Sequence, residues 1–442
     1  MGNCINIGEY NKLYKYIWLY IFIKLIFEYL FGVDYPDEIK IFKKNTFPKS
    51  IIVQEIIYYF NLVIFSRFLY IYEKSQNKRD KSESSIVSNN TDINSSSSKI
   101  NLKIDLIYKN YEKVNISCCS IFFVVILLIL SDQLRKTFFI INLKGLDFRM
   151  FELLFVCIIT LVMFGMPIYK HKKLSIGFIL IFCISMKSLS IVYRLIDDHK
   201  ERIFKIYTWL IPVGISCFIL ISLLRCYTFC KIKELLDFTF ISVSKLLLYY
   251  GIIGFFISLT VSIVLTFIPC IDNNSFENIY FFCNITDIDS NNSTTYYYEN
   301  FFVYYKNLWI SDRETYINII YIFLLILRIV LFFFIKLFLI LIIKNLSPEY
   351  LICSDSIYYF IEETIDSIVC IFLDRFKYYK LYDTLDELFC IIGIIFYLEL
   401  IEFKFCGLDF NLKKYIKKRS IQDSREGNSF SSENDDTNTS NY

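Results

Sequence analysis

The chain is 442 residues long, 55% apolar and 19% aromatic, with 12 Gly, 6 Pro and a formal net charge of +3. That apolar content exceeds what a water-soluble domain needs, and so small a charge, carried in short loops and the C-terminal tail, offers no basic face for nucleic acid. The apolar residues gather in runs of about 17 to 25, the length that crosses about 30 Å of hydrocarbon as a helix, so chain length counts helices here rather than domains.

The expected fold is an all-α, polytopic transmembrane bundle of roughly ten spans. In chain order these are Tyr14–Val33, Ser50–Tyr72, Val114–Ser131, Phe151–Tyr169, Leu174–Ile196, Ile206–Phe229, Ser244–Ile268, Tyr316–Ile343, Leu351–Leu373 and Leu385–Ile401. The first, second, ninth and tenth carry Lys24, Glu28, Glu55, Arg67, Glu362, Glu363 and Asp366, and read equally as interfacial or re-entrant segments; without them about eight is the lower bound. The first run is too long and too charged for a secretory signal and reads as a retained helix. The organisation expected is spans one and two in 1–72, a disordered polar loop at 73–113, spans three to ten in 114–403 with an outside loop at 269–315, and a tail at 404–442. That tail begins basic, with Lys404, Lys413, Lys414, Lys417, Lys418 and Arg419, and ends acidic.

Basic loops resist translocation, so ten spans with a cytoplasmic N-terminus put the basic loop and the tail on the same, cytoplasmic side. Segment 269–315 then lies outside, where Asn284 and Asn292 head glycosylation triplets and Cys270 and Cys283 are candidates for a disulfide. Against this, an Asn- and Ser-rich chain makes such triplets by chance, and Asn89, Asn94 and Asn345 form them on the cytoplasmic side. The cysteines inside apolar runs, among them Cys157, Cys183, Cys217 and Cys390, read as small buried hydrophobes. Cys226 and Cys230 stand four apart, but His171 and His199 are the only histidines, too few ligands for zinc. Cys4 beside Gly2 suggests acylation, although Asn6 stands where the motif wants Ser or Thr. No cofactor motif, phosphate-cradling loop or nucleophile elbow is present, so the chain does not read as an enzyme. An intramembrane aspartyl protease would want paired Asp residues in two spans, whereas Glu362, Glu363 and Asp366 share one.

Charge at bilayer depth costs at least about 2.5 to 3.5 kcal/mol and persists where it is paired, hydrated or used. Lys187 and Arg194 share a face of span five, Arg328 and Lys336 a face of span eight, and Glu362 and Asp366, beside Glu363, a face of span nine. These seven are the candidate substrate pathway. The competing reading has Arg194 and Lys336 snorkelling to the interfaces and the acids answering the bases across helix contacts. Whether the charges line a cavity or pair helix to helix discriminates the two. Pro212 and Gly214 in span six, with Gly251 and Gly254 in span seven, mark kinks or close helix approach.

The stretch Tyr397 to Ile416, YLELIEFKFCGLDFNLKKYI, places an acidic pair before an aromatic-Cys-Gly-Leu turn and a basic segment. In this it resembles the closing signature of a family of uncharacterised ten-span protist membrane proteins. Leu346-Ser347-Pro348-Glu349-Tyr350, Phe151-Glu152-Leu153 and Tyr169-Lys170-His171-Lys172 are similar to that family too. Where members often carry Asn and Thr after the turn, this chain has Asn411 and Leu412. The resemblance, itself distantly likened to the drug/metabolite transporter group, implies two inverted five-helix repeats. Taken together, the sequence points to a secondary transporter of a small solute, working in the lipid bilayer by alternating access between two five-helix halves. The alternative is a membrane receptor or scaffold whose loop and tail bind cytoplasmic partners. A channel ranks third, lacking a filter-like carbonyl motif. Solute, coupling ion, membrane and oligomeric state are not encoded in any motif.

Overall fold

The computed structural model describes residues 7–31, 52–88, 118–140, 150–165, 168–200, 210–238, 241–267, 285–288, 294–297, 302, 315–372 and 378–398. Ten helices are described: α1 (Ile7–Phe31), α2 (Ile52–Ser88), α3 (Cys118–Ile140), α4 (Met150–Phe164), α5 (Lys170–Lys200), α6 (Leu210–Phe238), α7 (Val243–Thr266), α8 (Thr315–Asn345), α9 (Pro348–Phe372) and α10 (Tyr378–Tyr397). Each overlaps one expected span. One antiparallel ribbon interrupts the helical pattern within 269–315, with β1 (Ile285–Ile288) paired to β2 (Thr294–Tyr297) in the register Ile285 to Tyr297. The glycosylation candidates Asn284 and Asn292 and the disulfide candidates Cys270 and Cys283 lie outside the described residues.

Local chemistry sets several helix ends. Ser242 caps α7 by accepting the Lys245 amide at 3.3 Å. Pro348 opens α9, where its missing N–H costs nothing. Gly165 follows α4 with φ 64°, the left-handed conformation of a helix stop, and its amide returns to the Leu161 carbonyl at 3.0 Å. Elsewhere the helices overrun the apolar runs. α2 continues beyond Tyr72 to Ser88, so the start of the loop expected to be disordered at 73–113 is helical. α3 continues from Ser131 through Asp132, Gln133 and Arg135 to Ile140, and α10 starts at Tyr378 rather than Leu385. Backbone hydrogen bonding does not stop where hydropathy does, and charged side chains extend a helix as readily as leucine.

Four helical segments are long and apolar enough to cross a membrane: Lys170–Tyr193, Pro212–Asp237, Val243–Thr266 and Ile322–Asn345. Their outward faces are apolar too, as with Ile181 on α5, Phe256 and Ile263 on α7, and Phe323 on α8. Large apolar side chains in such numbers on an outer surface are stable against lipid and a liability in water. The fold is thus a helical bundle with the helices of an integral membrane protein.

The chain divides into two compact units. One comprises Met1–Lys15, Gly145–Leu223 and Ile352–Tyr442; the other comprises Tyr16–Lys144 and Leu224–Leu351. Neither coincides with the first or second five helices, because each draws on both parts of the chain.

In the first unit α5 and α10 pack antiparallel along their lengths. Lys172 meets Tyr397 at one end, Ser175 donates to the Gly393 carbonyl at 2.6 Å, and Tyr193 stacks on Tyr382 at the other end with ring centroids 5.0 Å apart. Gly393 makes this approach possible, since a Cβ there would overlap Ile179. α9 runs antiparallel to α10, with Asp366 facing Lys380 and Ser367 facing Thr384. In the second unit α7 packs antiparallel to α2. A Cβ on Gly251 would meet Val63 Cγ2 at 2.9 Å, and one on Gly254 would overlap the Tyr59 ring. The close helix approach expected at these two glycines is what the structure has. α8 runs parallel to α2, pairing Arg328 with Gln54 and Phe332 with Tyr58, and antiparallel to α1, pairing Arg328 with Phe27 and Phe338 with Tyr16.

Candidate functional site

Both units hold charge among apolar helices, and each is described in turn. In the first, α10 repeats small or polar residues at helical spacing along one face, with Asp383, Asp386, Cys390, Gly393 and Tyr397. The facing stripe of α5 carries Lys172, Ser175, Cys183, Lys187 and Ser190. Lys187 Nζ lies 3.1 Å from Asp383 Oδ1 and 4.0 Å from Asp386 Oδ2. Ser190 Oγ donates to the same Asp383 oxygen at 2.8 Å. All four side chains are buried. Further along, Cys183 Sγ donates to the Asp386 carbonyl at 3.4 Å, and Tyr397 Oη bonds Cys157 Sγ of α4 at 3.0 Å and takes Lys172 Nζ at 3.2 Å. Between α9 and α10, Lys380 reaches Asp366 at 2.5 Å and Cys370 Sγ at 2.8 Å.

In the second unit, Asp132 of α3 accepts from Lys336 of α8 at 2.5 Å and from the Tyr250 hydroxyl of α7 at 3.0 Å. Gln133 donates to Glu55 of α2. Arg328 donates to Gln54 Oε1 at 2.6 Å, with its guanidinium over the rings of Tyr58 and Phe27 at 5.3 and 5.4 Å. Lys336 likewise lies over Tyr250 and Phe332, at 5.2 and 5.6 Å. An aromatic-rich bundle thus surrounds its cations with negative ring faces as well as carboxylates.

The seven expected pathway residues divide as follows. Lys187, Lys336 and Asp366 join ion pairs between helices, and Arg328 a hydrogen bond between helices. Glu362 and Glu363 lie half-buried on α9 beside Asp366. The side chain of Arg194 lies outside the described residues. The acids expected to answer Lys187 and Lys336, on α9, are not the ones found; Asp383 and Asp386 of α10 and Asp132 of α3 take those roles. Sequence reasoning passed over these three because each sits just outside an apolar run, Asp132 after Ser131 and the others before Leu385. The signal available for α10 was its 3-4 spacing of polar and small residues.

Compared with known proteins, the chain matches no family model and no curated protein. Its class therefore rests on the molecule itself: a helical protein with helices apolar enough to cross a bilayer and interhelical polar clusters inside its two units.

Proposed function

We propose that the protein is a multi-pass membrane protein, with all ten helices crossing, that carries a small solute across the bilayer as a secondary transporter. The observation that carries this reading is the Lys187–Asp383–Asp386 cluster, buried between two helices, one of which is apolar enough to span. Replacing a buried ion pair with apolar residues is often neutral or stabilising, so a bundle that only anchors gains nothing by keeping one. Ionisable groups at bilayer depth mark solute and ion pathways by default. Helix direction supports the full set of crossings. The contacting pairs α1 with α8, α2 with α7, α5 with α10 and α9 with α10 are antiparallel and α2 with α8 is parallel, as alternate crossing of ten consecutive spans requires. Both termini are then on one side, the cytoplasmic one by the placement of basic residues, and 269–315 faces outward as a glycosylated segment. Membership of the ten-span protist family belongs to the same proposal, as does the absence of an enzymatic step.

A second reading has its own observation. Lys187, Lys336 and Asp366 face partners across helix contacts, the arrangement expected of a receptor or scaffold. Uptake by purified protein in liposomes separates the two, using labelled anionic, neutral and cationic metabolites and the variants Lys187→Gln and Glu362→Ala. Saturable uptake lost in either variant supports transport through that charge, whereas folded protein inactive across the panel makes it a scaffold.

A further inference from the structure

Four helices of the second unit meet through one continuous set of side-chain hydrogen bonds. Gln133 of α3 donates to Glu55 of α2. One turn along α2, the Tyr59 hydroxyl is hydrogen-bonded to both Gln133 and Tyr250. Tyr250 of α7 donates to Asp132 of α3, which also accepts from Lys336 of α8. Glu55, Tyr59 and Tyr250 are 4%, 2% and 1% exposed, so the chain runs through the interior of the unit.

Counting protons fixes its direction. A tyrosine hydroxyl has one proton to give, and a glutamine amide nitrogen has two. Tyr250 gives its proton to Asp132, so the bond between the tyrosines uses the proton of Tyr59. The Tyr59 oxygen therefore accepts from Gln133, whose amide nitrogen serves Tyr59 and Glu55 together. Every donation that begins at Gln133 ends on a carboxylate, an order consistent with Glu55 and Asp132 both ionised.

We infer that this chain is a proton-binding site in which protonation of Glu55 turns over the Gln133 amide and redirects the Tyr59 hydroxyl, so that the proton is felt at the Asp132–Lys336 pair. A proton taken from water converts the Glu55 carboxylate to an acid, which becomes a donor towards Gln133. The amide answers by presenting its carbonyl oxygen, which has two lone pairs and no proton. Tyr59, losing the donor from Gln133, turns its own proton to that carbonyl. Tyr250 then loses the hydrogen bond from Tyr59 while remaining on Asp132. No covalent bond other than the new O–H forms, and the cluster gains one positive charge.

The charged and titratable groups around it come from each packed helix: Tyr59 on α2, Asp132 and the buried Arg135 on α3, Tyr250 on α7, and Lys336 with Arg328 on α8, the latter held by Gln54 next to Glu55. The arginines and Lys336 oppose protonation of Glu55, and Asp132 favours it. Their balance sets where the titration falls, while amide turnover follows from donor counting alone. As the coupling ion of a transporter, this proton rests on the reading above; its binding requires no transport.

The test is a pH titration by infrared difference spectroscopy of the full chain in liposomes, with Glu55→Gln, Tyr59→Phe and Tyr250→Phe beside the parent. The parent is expected to gain a carboxylic acid C=O band as pH falls, together with a change in tyrosine ring modes. Glu55→Gln loses both, and Tyr59→Phe keeps the acid band while losing the tyrosine change. Tyr→Phe removes only an oxygen, so those variants remain informative if Glu55→Gln does not fold. An acid band that survives Glu55→Gln, or a tyrosine change that is unaltered in both Tyr59→Phe and Tyr250→Phe, overturns the inference. Uptake by the same vesicles is scored separately, so a titrating Glu55 without uptake removes the transport reading and leaves the proton site standing.

Discussion

In the unit built on α5 and α10, Lys187, Asp383 and Asp386 sit on two facing helices, whereas in the unit built on α2, α3, α7 and α8 the polar groups are spread over four. The two-helix arrangement meets charge with charge directly. The four-helix arrangement interposes tyrosine hydroxyls and an amide, so Asp132 draws on two donors from different helices. Direct pairing makes each partner indispensable to the other, while a shared network spreads the consequence of losing one member.

The largest effect should come from breaking the direct pair. Lys187→Ala removes the ammonium from two buried carboxylates and is expected to cost about 3 to 5 kcal/mol, read as a loss of thermal stability in detergent. Replacing the pair, as Lys187→Met with Asp383→Leu, should recover most of it. Lys336→Ala leaves the Tyr250 hydroxyl on Asp132 and should cost less; equal losses for Lys187→Ala and Lys336→Ala would erase the contrast between the units.

A smaller effect separates glycines by what a methyl group would meet. Gly254→Ala in one unit and Gly393→Ala in the other push against Tyr59 and Ile179, and each should cost about 1 to 3 kcal/mol. Gly177→Ala meets no atom within 4 Å and should be neutral, or stabilising by about 0.5 to 1 kcal/mol through helix propensity. Thermal melts of the three variants check this; a silent Gly254→Ala would mean that α2 and α7 are not in close contact.

Much of the fold was legible because hydrocarbon imposes a length on a helix, and every apolar run found its helix. The helix ends were less so. Hydropathy falls at Asp132 and before Leu385, yet α3 and α10 continue through these points, and that is where the polar clusters are. Lys187 and Lys336 stood out as charges within apolar runs, but their partners lie 196 and 204 residues away, and no local pattern encodes which helices touch. Tyr59 and Tyr250 are two among 35 tyrosines, and only packing shows that their hydroxyls meet. Gly251 and Gly254 were readable because small residues four positions or fewer apart have a steric meaning of their own.

The account turns on whether helices bearing paired charges cross the membrane alongside the four apolar ones. Single-cysteine accessibility to a membrane-impermeant reagent, in a chain otherwise lacking exposed cysteines, tests this at positions before α1, between α2 and α3, between α7 and α8, between α9 and α10, and after α10. Alternate crossing predicts the N-terminus, the α2–α3 connection and the C-terminus on one face, and the α7–α8 and α9–α10 connections on the other. Labelling of the α9–α10 connection from the same face as the C-terminus would show that α10 does not cross, and would contradict the ten-span account.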